Sequence, residues 1–293
     1  MTTISEIAAN LGVTAATVSR ALNAKPGVSA ALRATIWEEA ARLNFVANGA
    51  ARSLRTARTM TAAMTVARLT STDHLAAEPF YGPIMLGIEQ ELEQYDYHLL
   101  ISTLTDAHLE QPERWSLLRG RIDGLIVVGP SVPVRFLRVL RKHGMPVVLV
   151  DNAVEDLSID TVLPEDRIGA RLLAEHMLGH AHRRLAILSG PDAWVTNRER
   201  CAGFSEALNT VGIEPLVILH AESTTEKTGY QLMRAALSRQ PTAVLAINDR
   251  MAMGAIDAAK AAGLAIPTDL AITGFDDIAF ARDLDPPLTT VRV

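Results

Sequence analysis

Two sets of residues in this 293-residue sequence have types and spacings suited to recognising another molecule. The first is VTAATVSRALN at residues 13–23, where Thr14, Thr17, Ser19 and Arg20 sit among small apolar residues. The second set gathers at the ends of apolar runs. Phe80 and Tyr81 follow the first run, and Asp151 and Asn152 follow VVLV. Trp194 and Arg200 flank the loop after LAILSGP, Asn248 and Asp249 end AVLAIN, and Asp276 ends ITGF. Carboxylates and amides beside aromatic faces suit a sugar, since they hydrogen-bond its hydroxyls while a ring stacks on its apolar face.

The elements that must carry these residues follow from periodicity. Ile4, Ile7, Ala8 and Leu11 repeat at helical spacing, and Val18, Ala21 and Leu22 do so again. Thr3 with Glu6 predicts a capping box, Gly12 separates the two runs, and Thr14 suits the second N-cap. Two short helices on a tight glycine turn describe a helix-turn-helix, whose second helix enters the DNA major groove. Ser29 predicts the cap of a third helix at 30–43, with Leu32, Ile36, Ala40 and Leu43 facing a core. The segment NGAARSLR at 48–55 is helical in composition but only about two turns long, too short to stand alone in water.

Beyond residue 59 short apolar runs alternate with helical patterns. Strands are expected at 63–69, 98–102, 124–128, 147–150, 185–189, 217–219, 243–247 and 270–273. Helices are expected at 84–95, 109–119, 133–143, 166–178, 197–211, 228–238 and 250–262. Such alternation predicts parallel sheets covered on both faces. Asp249 is expected to cap the helix that begins at Arg250, and Asp277 to cap a following turn.

These motifs together resemble the lactose-repressor (LacI/GalR) family of bacterial transcription regulators. The resemblance runs from VTAATVSRALN and NGAARSLR through GIEQEL, DGLIVVGP, VVLVDN, AINDRMAMGA and ITGFDD to PPLTTVRV. It implies an N-terminal all-α helix-turn-helix head, a hinge helix and an α/β body like the periplasmic binding proteins, built from two parallel-sheet subdomains facing across a cleft. The head would span residues 1–47 and the hinge 48–58. The body would span 59–293, with one subdomain at about 59–161 plus 288–293 and the other at about 162–287.

The resemblance also implies roles. Ala15, Ala16 and Arg20 fall at base-reading positions, Arg20 able to grip a guanine through two hydrogen bonds. Thr14, Thr17 and Ser19 fall at phosphate-holding positions, which set register without reading sequence. Asn48 and Ala51 belong to the hinge, and Leu54 matches a minor-groove wedge. Arg200, Asp276 and Asn248 match effector contacts, Phe80 and Tyr81 an aromatic wall, and Asp151, at the end of VVLV, is expected beside them as a further effector-binding residue. Trp194 stands where purine-binding relatives offer a basic residue, so its indole favours a sugar ring. The implied protein is a homodimer, or a higher oligomer, on a palindromic operator, controlled by a small molecule. A sugar is the favoured effector, with a purine or nucleoside, or a protein corepressor, as alternatives. Two departures stand out: Ala47 replaces a proline common before the hinge Asn, and the sequence ends at Val293, where the family continues into a further helix and short strands. Either a truncated sequence or a naturally short protein is therefore expected, in both cases with a reduced dimer surface.

Charge and composition agree. Residues 1–59 hold one Lys, six Arg and three Glu, a net +4, and the remainder carries −9 of the chain's −5 total. An anionic partner for the head alone is implied. No run reaches the length of a membrane span, and no basic-then-apolar leader precedes the first helix. The lone Cys201 allows no internal disulfide and suits a reducing cytoplasm as a small apolar filler. A solute-binding protein of a transporter would share the body but needs export. The eight His show no metal-ligand spacing, and neither G-x-x-x-x-G-K-[ST] nor G-x-S-x-G occurs, so no enzyme, metal or cofactor is expected. The GHAH at 179–182 reads as a helix end favourable to the dipole.

Overall fold

A computed structural model describes residues 2–45, 58–67, 79–104, 110–111, 120–154 and 157–293. The chain divides into two compact units, Met1–Thr59 and Met60–Val293. Most of the expected hinge, with Asn48, Ala51 and Leu54, lies outside the described residues, as does most of the helix expected at 109–119.

The first unit contains α1 (Ile4–Leu11), α2 (Ala15–Leu22) and α3 (Ala30–Arg42). Helices this short depend on their ends, and each N-terminus is capped by the residue expected. Thr3 and Glu6 satisfy each other's backbone N–H groups in a capping box. Thr14 accepts from the Thr17 amide at 3.1 Å, and Ser29 from the Leu32 amide at 3.2 Å. Gly12 ends α1 at φ 64°, a left-handed turn that glycine adopts without steric cost. Ile7, Ala8, Val18, Ala21, Ile36 and Ala40 form the buried core between the three helices.

The second unit holds two parallel sheets. The first joins β1 (Thr61–Ala67), β2 (His98–Leu104), β3 (Gly124–Val128), β4 (Val147–Val150) and β5 (Asp160–Val162) in the order β2-β1-β3-β4-β5. Strand alternation sends successive side chains to opposite faces. Ala63, Leu125 and Val127 pack with Phe136, Leu137 and Leu140 of α5 (Val134–Lys142). Met64, Val66 and Val128 pack with Tyr81, Ile84, Met85 and Ile88 of α4 (Tyr81–Glu93). The edge strand β5 was not expected: its three residues are exposed and show no apolar run.

The second sheet has the order β7-β6-β8-β9, from β6 (Leu185–Ser189), β7 (Val217–His220), β8 (Ala243–Ala246) and β9 (Ala271–Thr273). Its helices are α6 (Asp166–Gly179), α7 (Val195–Thr210), α8 (Glu226–Ala236) and α9 (Asp249–Ala261). Strands β6 and β8 are buried throughout, which explains their unbroken apolar sequences. Helices α8 and α9 approach so closely that a Cβ on Gly254 would overlap the Glu226 carbonyl. Residues expected to join the first subdomain at 288–293 instead run beside this second sheet: Thr289 bridges Thr273, Arg292 bridges Asp276, and Leu288 and Val291 pack on its core. Among the described residues no helix is long and apolar enough to cross a membrane.

Candidate ligand site and candidate nucleic-acid interface

The second unit's site is built around Arg200, in the second turn of α7 and 5 % exposed. A guanidinium this deep persists only when its donors find partners. Its Nε donates to Asp166 Oδ1 at 2.7 Å and its Nη1 to the Ile247 carbonyl at 2.8 Å. The Phe275 ring lies 3.8 Å from the guanidinium carbon, a cation–π plate beneath it. Asp276 Oδ1 stands 3.0 Å from Nη1 as an ion pair, without the alignment of a hydrogen bond. Helix packing sets this geometry. A Cβ on Gly203 would overlap the Arg167 carbonyl, so glycine there lets α7 lie against α6 and brings Arg200 to Asp166.

Asp151 comes from the other sheet, at the end of β4, yet it lies within electrostatic reach of Arg200, Asp276 and Asp166. Burial pushes its carboxyl up to about 7 against the pull of Arg200. Asp276 is likewise raised to about 7, by burial first and then by repulsion from Asp249 and Asp166. Burial also raises Asp166. Asp151 at φ 62° and Asp276 at φ 110° hold backbone conformations that side-chain-bearing residues rarely adopt. Strain of this kind, of order 1–3 kcal/mol each, persists where surrounding structure imposes it, often at sites of function. Three buried polar atoms here have no hydrogen-bond partner: Asp151 Oδ1, Asn152 Nδ2 and Asp276 Oδ1. Such atoms call for a ligand or water.

Asp151, Arg200 and Asp276 thus come together, and the other candidate residues have contacts of their own. Phe80 and Tyr81 stack edge-to-face on each other at 5.4 Å, and Tyr81 also packs on the first sheet's core. Trp194 is half-buried at the N-cap position of α7. Asn248, not Asp249, caps α9: its Oδ1 accepts from the Met251 amide at 2.9 Å, while its Nδ2 donates to the Thr224 carbonyl at 3.3 Å. Asp249 lies one residue inside the helix and is fully buried. Its carboxylate accepts from the Ile278 amide at 2.9 Å and the Thr290 hydroxyl at 2.6 Å, and burial raises it to about 6. Asn248 takes the cap because its side chain reaches back over the first turn while Asp249 is drawn to the Thr290 segment. Nor does Asp277 cap the next turn; Arg292 and Arg282 claim its carboxylate. Cys201 is partly buried and donates to Ser189 Oγ at 3.2 Å. Asp166 and Phe275 escaped sequence reasoning, the first because it looks like an ordinary acidic first turn and the second because it looks like core.

In the first unit, α2 presents Ala15, Ala16 and Arg20 as an exposed row, with Val18 and Ala21 turned to the core. The Thr14 and Thr17 hydroxyls lie 2.9 Å apart at the helix start, where amide N–H groups favour an anion. Ser19 is half-buried on the same helix.

The sequence matches two family models. Residues 3–48 match the bacterial regulatory proteins of the lacI family, and residues 69–292 match the periplasmic binding proteins and sugar binding domain of the LacI family. The ribose operon repressor of Haemophilus influenzae is 32% identical over 298 residues, covering 99% of this chain and 86% of the relative. The transcriptional repressor PurR of Aliivibrio fischeri is 28% identical over 300 residues, covering 100% and 87%. Among solved structures, the lac repressor dimer bound to operator and the anti-inducer ONPF superposes with a TM-score of 0.84 at 27% identity, covering 100% of this chain and 87% of that one.

Proposed function

Since the chain belongs to the LacI family of bacterial transcription regulators, which are not enzymes, we propose that it is a sugar-controlled repressor acting as a dimer on a near-palindromic operator. The observation that carries the ligand half of this reading is the buried Arg200, ion-paired with Asp166 and Asp276, with Asp151 Oδ1 and Asn152 Nδ2 left without hydrogen-bond partners. A sugar hydroxyl donates to a carboxylate and accepts from a guanidinium or amide, so a polyol matches that mixture of groups. Trp194, six residues before Arg200, is the proposed stacking partner, and Phe80 with Tyr81 the proposed aromatic wall. The Asn248 amide already serves the backbone, which leaves it a secondary contact.

On the DNA side, Arg20 is the proposed reader of one guanine per half-site, worth about 1–3 kcal/mol of discrimination. Ala15 and Ala16 offer at most methyl contacts to thymine. Thr14, Thr17 and Ser19 hold phosphates, and Asn48, Ala51 and Leu54 form a hinge whose Leu54 wedges into the minor groove. Ligand and operator are then coupled reciprocally through the body. A protein of this kind works in the cytoplasm, beside its DNA.

Selection of bound sequences from a random duplex pool tests the operator, with an inverted repeat containing a conserved G in each half as the expected product. Anisotropy of that duplex with sugars, purines and nucleosides then tests control. Release by a sugar, lost in Asp276→Ala, supports the reading. Release by purines alone would replace the sugar while keeping the regulator.

A further inference from the structure

Helix α5 carries charge that neither the fold nor the ligand site uses. Its sequence VRFLRVLRK puts Phe136, Leu137 and Leu140 into the first sheet's core and leaves Arg135, Arg138, Arg141 and Lys142 exposed. No acidic residue occurs between Asp123 and Asp151, so these cations meet no counter-charge in their own stretch of chain. Elsewhere in the body several arginines are matched by carboxylates: Arg171 by Glu175, Arg250 by Glu226, and Arg282 and Arg292 by Asp277. Arg138, Arg141 and Lys142 have no ion-pair partner among the described residues. The helix dipole accounts for only part of this pattern. Arg141 and Lys142 lie in the last turn, where cations are favoured, but Arg135 lies in the first turn, where they are not. Arg138 stands three residues from Arg135 and Arg141 and four from Lys142, spacings at which like charges on a helix repel.

A helix face that carries this repulsion unaided suits a polyanion. At about 1.5 Å of rise per residue the four charges form a strip about 10 Å long. One strand of duplex DNA presents a phosphate for about every 3.4 Å of axis, so the strip spans about three phosphates. Topology favours DNA over other polyanions. Helix α5 runs back from the end of β3 to the start of the parallel β4, so Arg141 and Lys142 lie at the end of the sheet where its strands begin. The parallel β1 begins at that end too, and there the chain enters the body from the helix-turn-helix unit. We propose that the exposed face of α5 is a second, sequence-independent DNA contact, in which Arg135, Arg138, Arg141 and Lys142 hold backbone phosphates outside the half-sites proposed for α2. This rests on the reading of the chain as an operator-binding regulator. Contacts of this kind add affinity and salt dependence without adding sequence preference.

The test is fluorescence anisotropy of the full chain across a potassium chloride series, on a random-sequence duplex of about 60 base pairs and on the shortest duplex that holds the selected operator. The variant combines Arg138→Gln, Arg141→Gln and Lys142→Gln, and its melting temperature should hold or rise as repulsion is relieved. On the long duplex it should bind about tenfold or more weakly at low salt, with a slope of log affinity against log salt shallower by about one for each lost contact. Its affinity for the shortest operator should be unchanged. Arg138→Lys with Arg141→Lys should keep the parent's slope, because a phosphate contact of this kind needs charge and no planar fork. Equal affinity and slope of the Gln variant and the parent on the long duplex overturn the proposal and leave the operator reading standing. Failure of the selection, with long-duplex binding still weakened in the variant, overturns the operator reading and keeps α5 as the contact. Long-duplex binding by neither protein overturns both. Poly-glutamate bound by the parent and not by the Gln variant, with equal long-duplex binding by the two, would assign the face to an acidic protein and overturn the proposal.

Discussion

The head and the body reach recognition by opposite routes. In the head, α2 is bounded by local contacts, since Thr14 caps it and Gly12 turns into it, and Val18 and Ala21 pin it to a small core shared with the two neighbouring helices. In the body, Arg200 is held by Asp166, Ile247, Phe275 and Asp276, partners separated from it by 34 residues or more. The head keeps Ala15, Ala16 and Arg20, its proposed reading residues, on an exposed face. The body buries charge and holds Asp151 and Asp276 in unusual backbone conformations. A surface for a polyanion needs only rigid display, because solvent and phosphates satisfy its polar groups. A site that must enclose a small molecule has to hold polar groups away from water before the ligand arrives.

The sharpest way to break this comparison is Arg200→Ala. It strands Asp166 and Asp276 without their cation, and losing one partner of a buried pair costs about 3–5 kcal/mol. Urea melts read by pulsed proteolysis should show the body weakened and the head fragment unchanged. Equal loss in both would mean the two units do not stand independently. The converse is Ile36→Ala, which empties part of the head's core at a cost of about 2–5 kcal/mol. The same assay should report the head alone weakened and ligand binding retained.

Acidity sharpens the contrast further. Asp151 and Asp276, at about 7, and Asp249, at about 6, sit above the ordinary carboxylate value, so the native body binds protons that the unfolded chain releases. Their stabilising contribution is full below the unfolded value and is lost as pH rises through about 6–7. The body should therefore be more stable near pH 5 than near pH 7.5. In the head, Glu39 is lowered to about 2 by its bonds from Arg42 and Asn10, so its contribution is full above the usual value and fails only in stronger acid. Melts at both pH values, read on each fragment, check the difference. The smallest effect is Thr14→Ala, which removes the cap of α2 for about 1 kcal/mol. Operator affinity should fall with the head's stability, and ligand affinity should stay the same.

How legible each region was follows the same division. The three head helices, their caps and the Gly12 turn could be read directly, because every determinant lies within a few residues of what it determines. Strands β3, β4 and β6 could be read to the residue, since strands inside a parallel sheet, fully or half buried, carry unbroken apolar runs. Strand β5 could not, because an exposed three-residue edge strand carries no pattern of its own. The cap of α9 is ambiguous in the sequence, because Asn248 and Asp249 both favour caps and only the Ile278 and Thr290 contacts separate them.

Sequence by itself determined that this chain has a capped helix-turn-helix with an exposed Arg20, followed by alternating strands and helices with Arg200 and a set of carboxylates near strand ends. Local propensity and periodicity act over a few residues, and those features need nothing more. Tertiary structure alone decided that Asp166 would take the Arg200 Nε, that Phe275 would lie under the guanidinium, that Asp276 would pair with Nη1, and that Asp151 Oδ1 would be left without a hydrogen-bond partner. These depend on which helices cross closely and on how far the medium around each charge excludes water. Both are properties of the packed molecule, and no short stretch of residues encodes them.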